Sequence, residues 1–318
     1  MSNDYLTNVD YAIDDNPLWK LFEGNYDKYY LNYKGDKTPK IPKIIHQVWI
    51  GSELPMKYFR LIRSFIDQHP DWEYKLWTDR DVESFGMVNK PLFDAVENKG
   101  LKSDIFRYEI INRYGGIYLD TDFKCIKPFD DLMYLDFFAG NGYTTYPYVN
   151  CGLFAAYPEH PLLSKVIKDL TPKINTLPRP GRYGDVMAIM GADFFAKEVM
   201  AYIHQTTEKI VIFPKNFFYP FPPELRNDAN IQKGRDLTKI FSYIKDTTYC
   251  VHLWHTSWQW QTQIIEEGDE IESYQQPPVP SPSNVPVHKK VIQESPIARR
   301  ISKIKYMKRR YGKRYPGR

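Results

Sequence analysis

Residues 103 to 122, SDIFRYEIINRYGGIYLDTD, constrain the fold more than any other stretch. Ile105, Tyr108 and Ile111 recur at helical spacing, and Asp104 and Arg107, three apart, share one face of that helix. Gly115 and Gly116 supply the positive φ that stops it. Ile117, Tyr118 and Leu119 then make a short apolar run suited to a buried strand. That strand delivers Asp120, Thr121 and Asp122 at its carboxyl end, where open α/β sheets bind ligands. Carboxylates are costly to bury without a partner, so the Asp-x-Asp triplet here points to a divalent cation. A pair of loop carboxylates capping a following turn is the plainer alternative.

The chain on either side alternates in the same way. IIHQVWIG, residues 44 to 51, reads as a first buried strand and its turn, with His46 a hydrogen-bonded core histidine. Residues 56 to 68 place Phe59, Ile62, Phe65 and Ile66 on one side of an amphipathic helix. Tyr74, Leu76 and Trp77 suggest a second strand, followed by a helix from Asp79 and another over 91 to 99 closed by Gly100. Downstream, Phe123 to Ile126 reads as an edge strand, and strands follow at Phe137 to Ala139 and at 150 to 156. His160 belongs to a turn before a helix at 162 to 170. The fold class is therefore α/β, a mixed and mostly parallel sheet flanked by helices.

The stretch 103 to 122 resembles the DXD sugar-binding glycosyltransferases of family 32. That family includes yeast-type mannosyltransferases, bacterial capsule and lipopolysaccharide transferases and, more distantly, clostridial glucosylating toxins. IPKIIHQVW, residues 41 to 49, is similar to the family's opening pattern. VHLWHTSWQW, residues 251 to 260, is similar to its closing one through His252, Ser257 and Trp258, with Thr256 where a glycine is usual. The resemblance implies a GT-A, Rossmann-like fold that binds a nucleotide sugar through a divalent metal. It implies that Asp104 and Arg107 grip the sugar hydroxyls and place the diphosphate, that Asp120 holds ribose and sugar hydroxyls, and that Asp122 binds the metal. Trp49 sits where the toxin relatives stack a tryptophan on uracil, its plainer reading being a core residue. Trp258 joins the nucleotide-sugar contacts.

His252 is the family match for a further metal ligand. His255 and Ser257, two apart, face one way on an extended segment, which makes His255 the first choice and His252 the alternative. Oxygen ligands suit Mn²⁺ or Mg²⁺, and a histidine tilts the choice to Mn²⁺. The expected donor is a UDP-hexose before a GDP-hexose, with retention at the anomeric carbon. The expected acceptor is a glycan, a lipid-linked sugar or a protein. Arg179 and Arg182 are further candidates for the diphosphate.

Cys125, Cys151 and Cys250 cannot all pair within one chain and lack metal-ligand spacing, which fits a reducing setting. No run of about 18 apolar residues appears, and the polar, acidic start is unlike a signal peptide. The expected location is cytoplasmic, peripheral at a membrane surface. Of 43 basic and 39 acidic residues, 12 and 1 lie in residues 289–318, so 31 and 38 remain before them. The expected segments are an N-terminal extension (1–40), a catalytic domain (41–265), an acidic and proline-rich linker (266–288) and a basic amphipathic tail (289–318). Such a tail suits an anionic membrane before nucleic acid, because Ile297, Ile301 and Ile304 line one side. Two other classes share these features: a Mg²⁺-dependent phosphohydrolase using the same aspartates, and an inactive transferase body serving as a tail-driven adaptor.

Overall fold

Strands β1 (Ile44–Val48), β2 (Glu73–Trp77), β3 (Gly116–Leu119), β5 (Phe137–Asn141), β6 (Val149–Ala156) and β7 (Ile210–Phe213) form one sheet. Their order is β2-β1-β3-β6-β5-β7. Every pairing is parallel except the two made by β6, so five strands point one way and β6 opposes them. Two further strands, β4 (Phe123–Cys125) and β8 (Cys250–His252), pair with each other as an antiparallel ribbon. The computed structural model describes residues 16–142, 146–177, 187–227 and 238–255. The linker, the basic tail, Ser257, Trp258, Arg179 and Arg182 lie outside the described residues.

The expected mixed, mostly parallel sheet flanked by helices is what the strand directions give. Helices α1 (Pro17–Tyr26), α2 (Met56–Gln68), α3 (Asp79–Phe85), α4 (Lys90–Ala95), α5 (Lys99–Tyr114), α6 (Pro161–Leu170) and α7 (Ala192–Ile203) surround it. In α5 every residue from Asp104 to Ile111 is buried, since the helix is wedged among β1, β3, β6, α4 and α6. A helix enclosed on all sides must carry its polar groups already paired. No described helix is long and apolar enough to cross a membrane.

Three expectations change. The N-terminal extension, expected as a loosely helical or partly ordered arm, carries a packed helix, α1, with Trp19, Phe22 and Tyr26 buried against β7. Aromatic residues three and four apart carry that face, and the polar residues between them masked the periodicity. The helix expected over 91 to 99 ends at Ala95, and Gly100 falls in the first turn of α5. Asn98 caps α5 by accepting from the Leu101 N–H at 3.1 Å, so the break comes earlier than the glycine. Phe123 to Cys125 pairs with the C-terminal β8 instead of extending the main sheet.

His46 explains why β1, β2 and α5 keep their registry. Its ring is 2% exposed. Nδ1 accepts from the Trp77 indole N–H at 3.1 Å, and Nε2 donates to the Gly115 carbonyl at 3.0 Å. The neighbouring Gly116 has φ 92°, and a Cβ there would stand 2.6 Å from the Ile44 carbonyl oxygen, so only glycine fits. Burial pushes the His46 imidazole down from 6.5 to about 3. The unfolded chain therefore binds a proton near pH 6.5 that the folded chain refuses until about pH 3. Stability from this residue is full above 6.5 and falls with decreasing pH through that window, by up to about 1.4 kcal/mol per pH unit. Denaturant midpoints of wild type and His46→Gln, followed from pH 7 to pH 4, should show the shallower slope in the variant. Parallel slopes would remove His46 from the acid response.

Candidate active site

The carboxyl ends of β1 and β3 lie side by side because these strands pair in parallel. β1 ends beside Trp49, and β3 ends at Asp120. β6 runs the other way, so its first residues, Asn150, Cys151 and Gly152, arrive at the same end. The fourth wall is the β4–β8 ribbon with His252. One cleft is lined by Trp49, Asp104, Arg107, Asp120, Asp122 and His252, together with His255 and Trp254.

Arg107 is the buried centre of this cleft. Its guanidinium lies 2.8 Å from Asp104 Oδ1 and 3.2 Å from Asp120 Oδ1. It also donates to the Cys151 carbonyl at 2.8 Å and packs 4.5 Å over the Tyr118 ring. Helix spacing places Asp104 and Arg107 on one face, and the cation then reaches across to the strand. Burial drives the Asp104 carboxyl up to about 7, against the pull of Arg107. Asp120 is also raised, because desolvation and the neighbouring Asp122 carboxylate outweigh Arg107. Asp120 further accepts from the Tyr118 hydroxyl at 2.7 Å. Its backbone carbonyl accepts from Gln47 Nε2 at 2.9 Å, and Gln47 is held in turn by the Tyr74 hydroxyl at 2.6 Å.

Asp122 behaves differently. Burial alone raises a carboxyl, but here His252 and the hydrogen bonds it receives hold it below the ordinary value. His252 Nε2 lies 3.1 Å from Oδ1, and the His255 backbone N–H donates to Oδ2 at 2.6 Å. One oxygen each of Asp120 and Asp122 and a ring nitrogen of His252 lie within 4.8 Å of one another. Two carboxylates and an imidazole suit a hard to borderline divalent cation, with Mn²⁺ accepting the nitrogen more readily than Mg²⁺. These three are the group of metal-capable side chains found among the described residues.

Of the two histidines, His252 is the one whose ring nitrogen groups with the Asp120 and Asp122 carboxylates. The expectation for His255 rests on alternation with Ser257, which lies outside the described residues. Trp254 has φ 58°, so the chain leaves the strand direction after β8. His255 meets Asp122 through its backbone, while its ring packs edge-on against Tyr58 at 5.8 Å. Trp49 lines the cleft beside Tyr58, ring centroids 4.9 Å apart, with its indole nitrogen unpaired. Sequence reasoning missed Tyr118, Gln47 and Cys151. Tyr118 was findable, since residues two apart on a strand share a face and Asp120 is two residues on. Gln47 and Cys151 act on partners 73 and 44 residues away, which no local pattern announces.

His252→Ala should weaken Mn²⁺ binding by roughly tenfold or more, as loss of an imidazole partner does in metal sites. His255→Ala should leave it nearly unchanged, because the backbone N–H survives. Calorimetric Mn²⁺ titration of both variants separates them, and equal losses would return His255 to the group.

The sequence of residues 55–138 matches the family described as "Glycosyltransferase sugar-binding region containing DXD motif". Inositol phosphoceramide mannosyltransferase 3 of Schizosaccharomyces pombe is 32% identical over 169 residues, 47% of this chain and 47% of that protein. Inositol phosphoceramide mannosyltransferase 1 of the same yeast is 33% identical over 182 residues, 55% of this chain and 56% of that protein. The chain thus spans about half the length of these curated relatives. Among solved structures, PaToxG Glycosyltransferase superposes with a TM-score of 0.44 at 20% identity, over 58% of this chain and 76% of that one. Asp104, Arg107, Asp120 and Asp122 all fall inside the segment that matches the DXD glycosyltransferase sugar-binding family.

Proposed function

We propose that this protein is a metal-dependent, retaining glycosyltransferase that moves a hexose from a nucleoside diphosphate sugar to a glycan or lipid-linked acceptor. The observation that carries the reading is the convergence in one cleft of the Asp104–Arg107 pair with the Asp120, Asp122 and His252 group. The first grouping fits sugar hydroxyls and the second fits a cation beside a diphosphate.

The reaction breaks the bond between the anomeric carbon and the diphosphate oxygen. The acceptor hydroxyl oxygen bonds to that carbon, its proton passes to the departing diphosphate oxygen, and the nucleoside diphosphate leaves with the electron pair. Asp120, Asp122 and His252 would hold a divalent cation, which would supply Lewis-acid neutralisation of the departing diphosphate. Arg107 has a different task. Two carboxylates fix its guanidinium, so it presents an oriented cation without reorganising. Asp104, raised to about 7, is matched to hydrogen bonding with neutral sugar hydroxyls in either protonation state. Trp49 supplies a flat apolar face for the base.

Mannosyl donors head the candidates because the yeast relatives are named mannosyltransferases, and a lipid acceptor is favoured by the same names. The sequence-based preference for a uridine nucleotide is set against guanosine in the same experiment. UDP- and GDP-hexoses are incubated without acceptor, with Mn²⁺ or Mg²⁺, and free sugar is measured. At least one donor should be hydrolysed, and Asp122→Asn should lose turnover by on the order of a hundredfold. Its thermal midpoint should move little. Full turnover in excess chelator would end the metal-dependent reading, and phosphate release with no free sugar would end the transferase reading and favour a phosphohydrolase.

A further inference from the structure

The donor, as placed above, leaves part of the cleft unassigned. Trp254, Pro223, Arg226, Tyr148 and Met187 line the same cleft and carry no donor role above. We infer that Trp254 is the platform on which the acceptor ring stacks, and that the acceptor is a six-membered polyol, a pyranoside or a cyclitol, laid flat on the indole beside His252. This rests on the transferase reading and adds to it the acceptor's chemical class and the residue that positions it.

The placement of Trp254 is unusual in two ways. Its backbone is left-handed at φ 58°, a conformation that bulky side chains rarely adopt and that calls for compensation. Its ring is nevertheless tightly held. The indole N–H donates to the Phe221 carbonyl at 2.7 Å. The ring stands 4.2 Å from the His252 ring in an edge contact and 5.7 Å from Tyr219 at a tilt of 34°. It remains half-buried and open to the cleft. Trp254 packs on the cluster of Phe221, Ile240 and Val251, yet unlike an ordinary core tryptophan it also lines the cleft and sits on a left-handed turn.

The chemistry of the surroundings selects the ligand. Polyol rings carry C–H groups on their flat faces and hydroxyls at their edges. An indole offers a large flat apolar surface with a negatively polarised face, which attracts such C–H groups. Arg226 and Tyr148, which line the same cleft, are polar groups suited to the hydroxyl edges of such a ring. His252 lies against the same ring, so a polyol stacked there has one edge at the group formed with Asp120 and Asp122. That is the edge from which a hydroxyl must reach the anomeric carbon.

The test uses the full chain and the donor found by hydrolysis. Methyl α-D-mannopyranoside, methyl β-D-glucopyranoside and myo-inositol serve as acceptor probes, which separates pyranosides from cyclitols. Three proteins are compared: wild type, Trp254→Phe and Trp254→Asn. Asparagine tolerates the left-handed backbone without a ring, so it removes the platform while keeping the turn. Wild type should form a transfer product with at least one probe. Trp254→Asn should raise the acceptor KM about tenfold or more, and Trp254→Phe by only about threefold. Because Trp254 also braces His252, the donor KM for acceptor-free hydrolysis should rise as well in Trp254→Asn, but by at least about threefold less than the acceptor KM. The inference is overturned by an unchanged acceptor KM in Trp254→Asn, by a parallel rise in donor KM, or by no ring polyol acting as acceptor for an enzyme that hydrolyses its donor. If wild type hydrolyses no donor, the transferase reading itself fails and the platform falls with it.

Discussion

The cleft depends on one buried cation. Asp104, Asp120 and Asp122 stand close together at the end of the sheet, and three carboxylates in a recess repel one another. Arg107 offsets two of them at 2.8 and 3.2 Å. Its planar fork has enough donors to reach the Cys151 carbonyl as well, so one side chain ties α5 to both β3 and β6. A lysine has neither the reach nor the geometry for three such partners. Breaking a buried pair by removing one partner typically costs about 3 to 5 kcal/mol, because a bare charge remains. Arg107 is thus both a structural clamp and a fixed positive charge in the site.

Asp122 is the carboxylate that Arg107 does not reach. It is balanced instead by His252 and by the His255 amide. The cleft is consequently divided into two electrostatic halves. One half holds a permanent cation on a rigid helix. The other holds a carboxylate kept below its ordinary value beside the His252 imidazole, an arrangement open to an exchangeable cation. Donor chemistry that spreads negative charge over a diphosphate needs positive charge on both sides of it, and this division provides it.

Most of this was legible wherever the cause is local. The helix, its double-glycine stop and the strand carrying Asp120 follow from spacing alone, and Gly115 and Gly116 do have positive φ. The direction of β6 followed from no local pattern, because antiparallel pairing with β3 and β5 is decided by the tertiary fold. The packed α1 was hidden by polar residues between its aromatics. The nearness of His252 to Asp122 was hidden by a separation of 130 residues. Nothing in Leu253–Trp254–His255 announces the left-handed turn at Trp254 either.

The second half of the site is therefore a tertiary product. Asp122 and His252 are 130 residues apart, and the β4–β8 ribbon brings them together. Hydrogen bonds from Leu253 N to Asp122 O and from Ile126 N to Tyr249 O set its register. In that register Phe123 and His252 form a non-hydrogen-bonded pair, where side chains approach most closely. Their rings stack at 4.4 Å. The imidazole is then fixed between Phe123 on one side and Trp254 on the other, with Nε2 directed at Asp122. A slip of one residue would turn His252 to the opposite face of the ribbon and leave Asp122 without its nearest partner. The segment just beyond the ribbon must then leave the strand direction, and the left-handed Trp254 makes that departure. It keeps the His255 amide on Asp122 and turns an indole face toward the cleft, so one backbone reversal serves both the carboxylate and the surface beside it.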